Sequence, residues 1–165
     1  PATGHAVSML QSPDAIANIL TAGPIYDRAK EVSRFFKNET KTMFTAVTWP
    51  EELPVSEVLE LVDGIKQTGV HIGPVILNGV VQNPLPSVSE AAWQDMKHVS
   101  DFQHHHRWIE YVQSWAKRVV RERSRLQDGL NQRMMNENTL IDLPFISSVG
   151  ASSSLGLDLA KTWAG

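Results

Sequence analysis

Three short segments follow the apolar runs that the sequence predicts to be strands, and they hold the residues best suited to bind a ligand. They are Trp49-Pro50-Glu51, Asn78-Gly79 and Pro144-Phe145-Ile146. Ligands of open α/β sheets bind beyond the carboxyl ends of the strands. The amide of Asn78 has both donors and an acceptor, which can pair with the edge of a purine base. On the residues alone, the favoured alternative is a turn-forming Asn-Gly after a strand.

The histidines form the second group that can be considered for chemistry. One group has a spacing that brings its side chains to one face of a helix; it consists of His98, Asp101 and His105. The three consecutive histidines at 104–106 instead point about 100° apart around a helix, so they cannot share one metal ion. No fourth ligand is evident and surface histidines are common, so we predict no metal site. The sequence also has no Ser in a G-x-S-x-G elbow, and a nucleophilic triad is therefore not predicted.

Composition limits the class of protein. The chain has 165 residues, a net charge of −3, 42% hydrophobic residues and no cysteine. This length predicts one domain with a proper core, and the acidic balance gives no reason to expect nucleic acid. The absence of cysteine excludes disulfides and Cys-based zinc sites. No apolar run approaches the roughly 20 residues that span a bilayer and no signal peptide is visible, so we predict a cytoplasmic protein.

The candidate binding residues depend on a predicted βαβ unit over residues 43–80. Residues 43–49 are β-branched and aromatic, which is typical of a strand that Pro50 ends. A helical stripe follows, because apolar side chains then recur at i, i+3, i+4, i+7 and i+10; they are Val55, Val58, Leu59, Val62 and Ile65. The almost continuous apolar run 75–80 is typical of a buried strand in a parallel sheet.

Helices are predicted on both sides of this unit. Ser12 and Pro13 are suitable N-cap and first residues of a helix over 12–20, and Gly4 suggests a tight loop before it. A second helix is predicted over 25–38, a long helical segment over about 91–135, a strand at 140–146 and a final helix at 155–164. This order predicts an α/β fold with about three parallel strands and a large helical content, in which segments 44–48, 73–78 and 141–145 lie side by side.

Three stretches of the chain also resemble a known family. Residues 1–13, PATGHAVSMLQSP, resemble the switch II segment of the arsenical pump-driving, anion-transporting ATPases and their relatives that target tail-anchored membrane proteins. Residues 44–80 are similar to the family's strand, Pro-Glu, helix and strand ending in Asn. Residues 140–164 resemble its C-terminal segment, where a proline-containing loop borders the base. The resemblance is collinear over nearly the whole chain.

The resemblance implies a partial P-loop NTPase with a Rossmann-like sheet. No G-x-x-x-x-G-K-[ST] occurs in the 165 residues, and the switch II aspartate is also absent. We therefore expect a C-terminal fragment that does not hydrolyse ATP alone, with no catalytic residue of its own. The resemblance divides it into a switch II remnant at 1–12, a short helical subdomain at 13–41, the βαβ unit at 43–80, a long helical segment at 89–136 and a terminal strand and helix at 140–165.

The resemblance also implies which residues contact the nucleotide. Asn78 matches the residue that contacts adenine, while Pro144, Phe145 and Ile146 match the wall beside the base. Gly4 and His5 match switch II. The implied cofactor is ATP or ADP with Mg²⁺, whose ligands are expected in the missing half. The absence of cysteine excludes the zinc pair that bridges the dimer in targeting members and the arsenite-binding cysteines of the pumps.

The expected partners follow from the same resemblance. They are ATPase subunits in a homo- or hetero-oligomer, with a protein client or a membrane partner as a further expectation, and no nucleic acid. The strand at Phe44–Thr48 pairs with the P-loop strand in the family, so we expect its edge to be covered by self-association here. The alternative function is a helical protein-interaction module without nucleotide binding, formed by the long helical segment and the helices before Met43.

Overall fold

The computed structural model describes residues 2–80, 91, 95, 106–134 and 140–145. Helices α1 to α4 and strands β1 to β3 are, in chain order, α1 (Ala2–Ile19), α2 (Pro24–Phe36), β1 (Val47–Thr48), α3 (Glu52–Lys66), β2 (Val75–Val80), α4 (His106–Arg133) and β3 (Leu140–Pro144). The predicted helix at 155–164 lies outside the described residues. Within the described part of the chain, no helix has the length and apolar character needed to cross a bilayer.

The three strands form one parallel sheet in the order β1-β2-β3. Strand β2 is central, since Ile76 pairs with Val47 on one side and with Ile141 on the other. Strand β1 is shorter than the predicted run 43–49, although a parallel bridge between Phe44 and Ile72 extends the pairing. The predicted parallel arrangement of the three segments is confirmed, as is the partial α/β fold.

Helix α3 is the crossover of the βαβ unit, and its predicted apolar stripe is confirmed. All five stripe residues are buried, and Val55, Val62 and Ile65 are completely so. Four of the five join the main hydrophobic cluster with residues of the sheet and of α4; its members are Ala46, Val55, Val58, Leu59, Val62, Val75, Leu77, Leu126 and Leu130. Full burial of each such side chain contributes roughly 1.5–3 kcal/mol, so this cluster fixes the sheet that carries the site.

Helix α4 packs beside α3. Val119, Leu126 and Leu130 lie on one face of α4 and are buried. Gly129 allows close approach, because a Cβ there would lie 2.8 Å from the Leu59 methyl groups. Contacts also join the two helices at their surfaces: Arg125 donates to the Ser56 hydroxyl at 2.9 Å, and Arg133 donates to Asp63 at 2.9 Å.

Helices α1 and α2 form a hairpin that packs on α3 through α1. The predicted helix start at Ser12 is wrong, because α1 begins at Ala2 and passes through Pro13. Gly4 accordingly lies in a helix and not in a tight loop. An interior proline removes one helical hydrogen bond, and the Ser12 hydroxyl donates to the Ser8 carbonyl at 2.7 Å. The packing of α1 against α2 and α3 outweighs the helix-start signal of Ser12 and Pro13. The boundary between segments 1–12 and 13–41 therefore falls inside α1.

A polar contact between α1 and α2 makes the hairpin sensitive to acid. Ser33 Oγ donates to Asp14 Oδ1 and Lys37 Nζ donates to Asp14 Oδ2, both at 2.6 Å. The hydrogen bond from Lys37, and then that from Ser33, lowers the pKa of Asp14 below its ordinary value of 3.8. A depressed carboxyl pKa stabilises the fold above the unfolded pKa, and this stabilisation disappears as pH falls through the folded pKa.

Replacement of Asp14 by asparagine is therefore expected to lower the free energy of unfolding at pH 7 by at most about 1 kcal/mol, since the ion pair is partly exposed. The difference in the free energy of unfolding between the two proteins should shrink below pH 3.8 and vanish at a pH below the pKa of Asp14 in the folded protein. Urea unfolding of both proteins across pH 7 to pH 3 measures it. Glu39→Gln is the control, because Glu39 makes no ion pair among the described residues. A difference that does not change with pH would contradict this account.

Candidate functional site at the carboxyl edge of the sheet

The carboxyl ends of β1, β2 and β3 meet at one edge of the sheet, which we call the carboxyl edge. Thr48 of β1 pairs with Leu77 of β2, and Asn78 pairs with Leu143 of β3. The segments that sequence analysis singled out lie at these ends: Trp49 follows β1, Asn78 and Gly79 are near the end of β2, and Pro144 is the last residue of β3. Parallel pairing therefore brings Asn78 next to the residue that precedes Pro144.

Asn78 is half-buried on the central strand, and its amide is free to meet a ligand. No described residue donates a hydrogen bond to this side chain or accepts one from it. A turn-forming Asn would use its side chain to bond the nearby backbone, which is not the case here. Asn78 is instead a strand residue, and the turn-like conformation belongs to Gly79, whose φ is 80°. This geometry favours the ligand-binding interpretation over the turn-forming one.

Pro144 and Phe145 border the carboxyl edge on the side of β3. Pro144 pairs with Val80 after an irregularity in β2 between Asn78 and Val80, and the Phe145 N–H donates to the Val80 carbonyl at 2.9 Å. The Phe145 ring is 51% exposed and meets the Trp115 ring edge-on, with centroids 6.0 Å apart. This contact holds an aromatic surface beside Asn78 that is still open to solvent. Ile146 lies outside the described residues.

Trp49 was part of a candidate segment, but its position against Gly79 was not predicted. A Cβ added to Gly79 would lie 2.7 Å from Cζ3 of Trp49, so the indole ring lies against the backbone directly after Asn78. The positive φ of Gly79 also disfavours any residue with a side chain. The sequence signal for this close contact is the dipeptide Asn78-Gly79, since a glycine in a strand often marks the close approach of another group.

Helix α4 adds charge next to the carboxyl edge. Arg125 lies beside Ser56 and Arg133 beside Asp63, so α4 runs parallel to α3 and its first half, about 22 Å of helix, extends past this edge. Exposed cations occur there, including Lys117, Arg118 and Arg121. They give this end of α4 a positive potential that favours a polyanionic ligand.

Two carboxylates of this region were not recognised as buried or partnered from the sequence. Glu122 is 2% exposed and accepts hydrogen bonds from Arg121 at 2.8 Å and Arg125 at 3.4 Å. It lies three residues from Val119 and four from Leu126 and so shares their buried face of α4. Arg123 donates to Asp142 Oδ2 at 2.6 Å, while Asp142 Oδ1 is buried without a partner among the described residues. The Arg123–Asp142 pair anchors α4 to β3, whereas the contacts of Glu122 lie within α4.

Gly4 and His5 do not lie with the other candidate residues. They occupy the first turns of α1, where Val7 lies so close to Gly64, near the end of α3, that a Cβ added to Gly64 would be 2.9 Å from Val7 Cγ2. That end of α3 is about 18 Å from its start at the carboxyl edge. The switch II role of Gly4 and His5 stays a prediction.

The carboxyl edge is suited to bind a planar base. A free amide and two exposed aromatic rings can recognise such a base through hydrogen bonds and stacking. Among the described residues no cluster of His, Asp or Glu forms a metal site, and the histidine group at 98 and 105 lies outside them. The arrangement therefore supports recognition of a planar ligand.

Comparison with known proteins identifies related sequences. Residues 14–105 match the anion-transporting ATPase family. ATPase BagA of Mycobacterium tuberculosis is 31% identical over 78 residues, which is 47% of this chain and 23% of that protein. Another M. tuberculosis protein and one from Mycobacterium bovis, both named as ATPases, match with the same identity and coverage. The match thus spans less than a quarter of the length of these curated relatives.

Proposed function

Because this chain belongs to the anion-transporting ATPase family, we propose that it forms the adenine-side part of an ATPase that couples ATP binding and hydrolysis to conformational change in a dimer. Members of the family use a nucleotide with Mg²⁺. The observation that carries the proposal is the carboxyl edge, where the Asn78 amide has no hydrogen-bond partner among the described residues and Asn78 pairs with Leu143, the residue before Pro144 and Phe145.

The chain alone does not hydrolyse ATP in this proposal. Phosphoryl transfer requires backbone amides and a lysine around the phosphates and a hydroxyl on Mg²⁺. The sequence has no G-x-x-x-x-G-K-[ST] to supply them. The phosphate-binding residues and the Mg²⁺ ligands then come from outside these 165 residues, and the present residues contribute the contacts to the base.

We further propose that the partners are other ATPase subunits. Support comes from β1, whose second edge is not paired with any described residue. Val47 and Trp49 are exposed next to it. An unpaired strand edge with exposed apolar side chains binds another strand readily, so a neighbouring segment or subunit is expected to cover it.

The second candidate function is that of an interaction module, and a groove between α1 and α2 favours it. The groove has a volume of about 510 Å³ and is mostly apolar. It is lined by Met9, Pro13, Ile16, Ile25, Val32 and Phe36, among others. The region from residue 12 to 41 is short, so its sequence alone does not favour a client groove. The hairpin nevertheless leaves an open apolar surface, which suits the apolar helix of a protein client.

Isothermal titration of the 165-residue chain separates the two functions. We expect saturable binding of ATP and ADP that does not depend on Mg²⁺, because the proposed contacts are to the base, and no turnover of Mg²⁺-ATP above background. Tripolyphosphate, which lacks the base, is the control ligand and should not compete. Absence of saturable binding would reject the adenine-side function and leave the interaction module. Turnover by the chain alone would reject the proposed division of the site.

A further inference from the structure

We propose that Trp49 forms a second aromatic wall of the base-binding site, opposite Pro144 and Phe145, so that a purine is held between the two walls with Asn78 at its edge. This inference rests on the proposed function, because it concerns the same ligand. It gives a role to Trp49, the residue after β1, which the sequence analysis places in a candidate segment without a role of its own and to which the family resemblance assigns none.

The first support is the position of Trp49 in the sheet. The register pairs Val47 with Ile76 and Thr48 with Leu77, and its continuation by one residue brings Trp49 beside Asn78. Strand order then puts Trp49 on one side of Asn78 and Pro144 on the other. The central strand residue Asn78 thus has the aromatic residue after β1 on one side, and on the other side the end of β3, where the Pro-Phe pair begins.

The second support is the contact that fixes the indole ring. The ring lies against Gly79, the residue after Asn78, at a distance that no Cβ would permit. It is nevertheless 49% exposed, so one part of the ring is held by the backbone and the other part is open to a ligand. An aromatic ring that is positioned in this way loses little conformational freedom on binding, which favours its use as a stacking surface.

The third support is the spacing. Strands in a sheet lie about 4.8 Å apart, so the backbones of β1 and β3 are about 9.5 Å apart across β2. A planar base between two walls needs about 7–8 Å, which is two carbon–carbon contact distances. The backbone spacing is therefore compatible with one ring system between the side chains that follow β1 and end β3.

The combination predicts a preference among bases. Stacking on aromatic rings tolerates every base, but a purine has a larger ring surface than a pyrimidine and therefore stacks more strongly. An Asn amide can form two hydrogen bonds with adenine at N6 and N7, whereas guanine presents only acceptors, O6 and N7, at the same edge. The site should therefore bind adenosine better than guanosine, and either purine nucleoside better than cytidine.

Nuclear magnetic resonance of the full chain tests this proposal. The chain has five tryptophans and hence five indole N–H signals, of which Trp49→Phe identifies one. Adenosine is expected to shift the Trp49 indole and the Asn78 side-chain amide together, and cytidine should shift them much less. Trp49→Leu is expected to weaken adenosine binding about tenfold, as loss of one stacked aromatic typically does. Phe35→Leu is the matched control, because Phe35 of α2 is 50% exposed and lies outside the carboxyl edge.

The outcomes separate this inference from the function on which it rests. If adenosine shifts the Asn78 amide but leaves the Trp49 indole unchanged, and Trp49→Leu binds as well as the original chain, the second wall is rejected while the adenine-side function stands. If neither signal moves, both are rejected. The indole measurement uses the unaltered chain, so it decides the question even if Trp49→Leu does not fold.

Discussion

Replacement of Asn78 by alanine is expected to weaken binding of adenosine nucleotides by about tenfold or more, which corresponds to the roughly 1–3 kcal/mol of a bidentate amide–base pair. The amide makes no hydrogen bond to a described residue, so its removal leaves no buried partner unsatisfied. The stability of the fold should therefore change little, and the loss should appear in binding alone. Isothermal titration with ATP, together with urea unfolding of the same samples, measures both quantities.

Asn18→Ala is the control for this change, because Asn18 is an exposed amide on α1. It should bind ATP as the unchanged chain does. The discrimination between adenosine and guanosine should also shrink in Asn78→Ala, since stacking alone reads no base edge. Equal ATP affinities of Asn78→Ala and Asn18→Ala would show that this amide is not used.

Replacement of Leu77 by alanine is expected to lower the free energy of unfolding by about 3 kcal/mol, within the range of roughly 2–5 kcal/mol for a buried leucine. Leu77 is fully buried on the central strand and packs in the cluster that α3 and α4 form over the sheet. The change removes methyl groups from the centre of that cluster and leaves a cavity. Urea or thermal unfolding followed by circular dichroism measures the effect.

Leu53→Ala is the matched control for the core, because Leu53 on α3 is 67% exposed. Its effect is expected to stay within about 0.5 kcal/mol. Leu126→Ala on α4 should resemble Leu77→Ala, since Leu126 is fully buried in the same cluster. If Leu77→Ala and Leu53→Ala destabilised the chain equally, the sheet and the two helices would not share one core.

The βαβ unit was predictable because its signals are local and agree with one another. The change from a strand-like run to helical spacing after Pro54 located α3, and the burial of Val55, Val62 and Ile65 follows from that spacing. The apolar run 75–80 identified a strand buried on both faces, and β2 is indeed the central strand. Strand direction followed from the crossover helix.

The start of α1 was not predictable from the same kind of signal. Ser12 and Pro13 have the local chemistry of a helix start, but α1 packs against both α2 and α3, and this packing extends the helix back to Ala2. Long-range contacts of this kind are not encoded in a window of a few residues. Burial of Glu122 was missed for a related reason, because its charge was weighed without its arginine partners.

The candidate site was predictable in its residues but only partly in its geometry. The rule that ligands bind beyond strand ends selected Asn78 and the Pro144-Phe145 pair, and the resemblance gave them roles. The identity of the central strand depends on which strands pair with each other, and this pairing becomes visible only in the folded sheet. The contact of Trp49 with Gly79 follows from that order, so the sequence did not reveal it.

Photolabelling with 8-azido-ATP, followed by mass spectrometry of the labelled peptides, tests most directly whether the carboxyl edge binds the adenine ring. The reactive group is on the base, so it labels residues next to the base. We expect labelling that excess ATP prevents and that falls on residues 75–80 and 140–145. ATP-protected labelling confined to α1 and α2, or labelling that excess ATP does not prevent, would contradict the assignment of the base to the carboxyl edge.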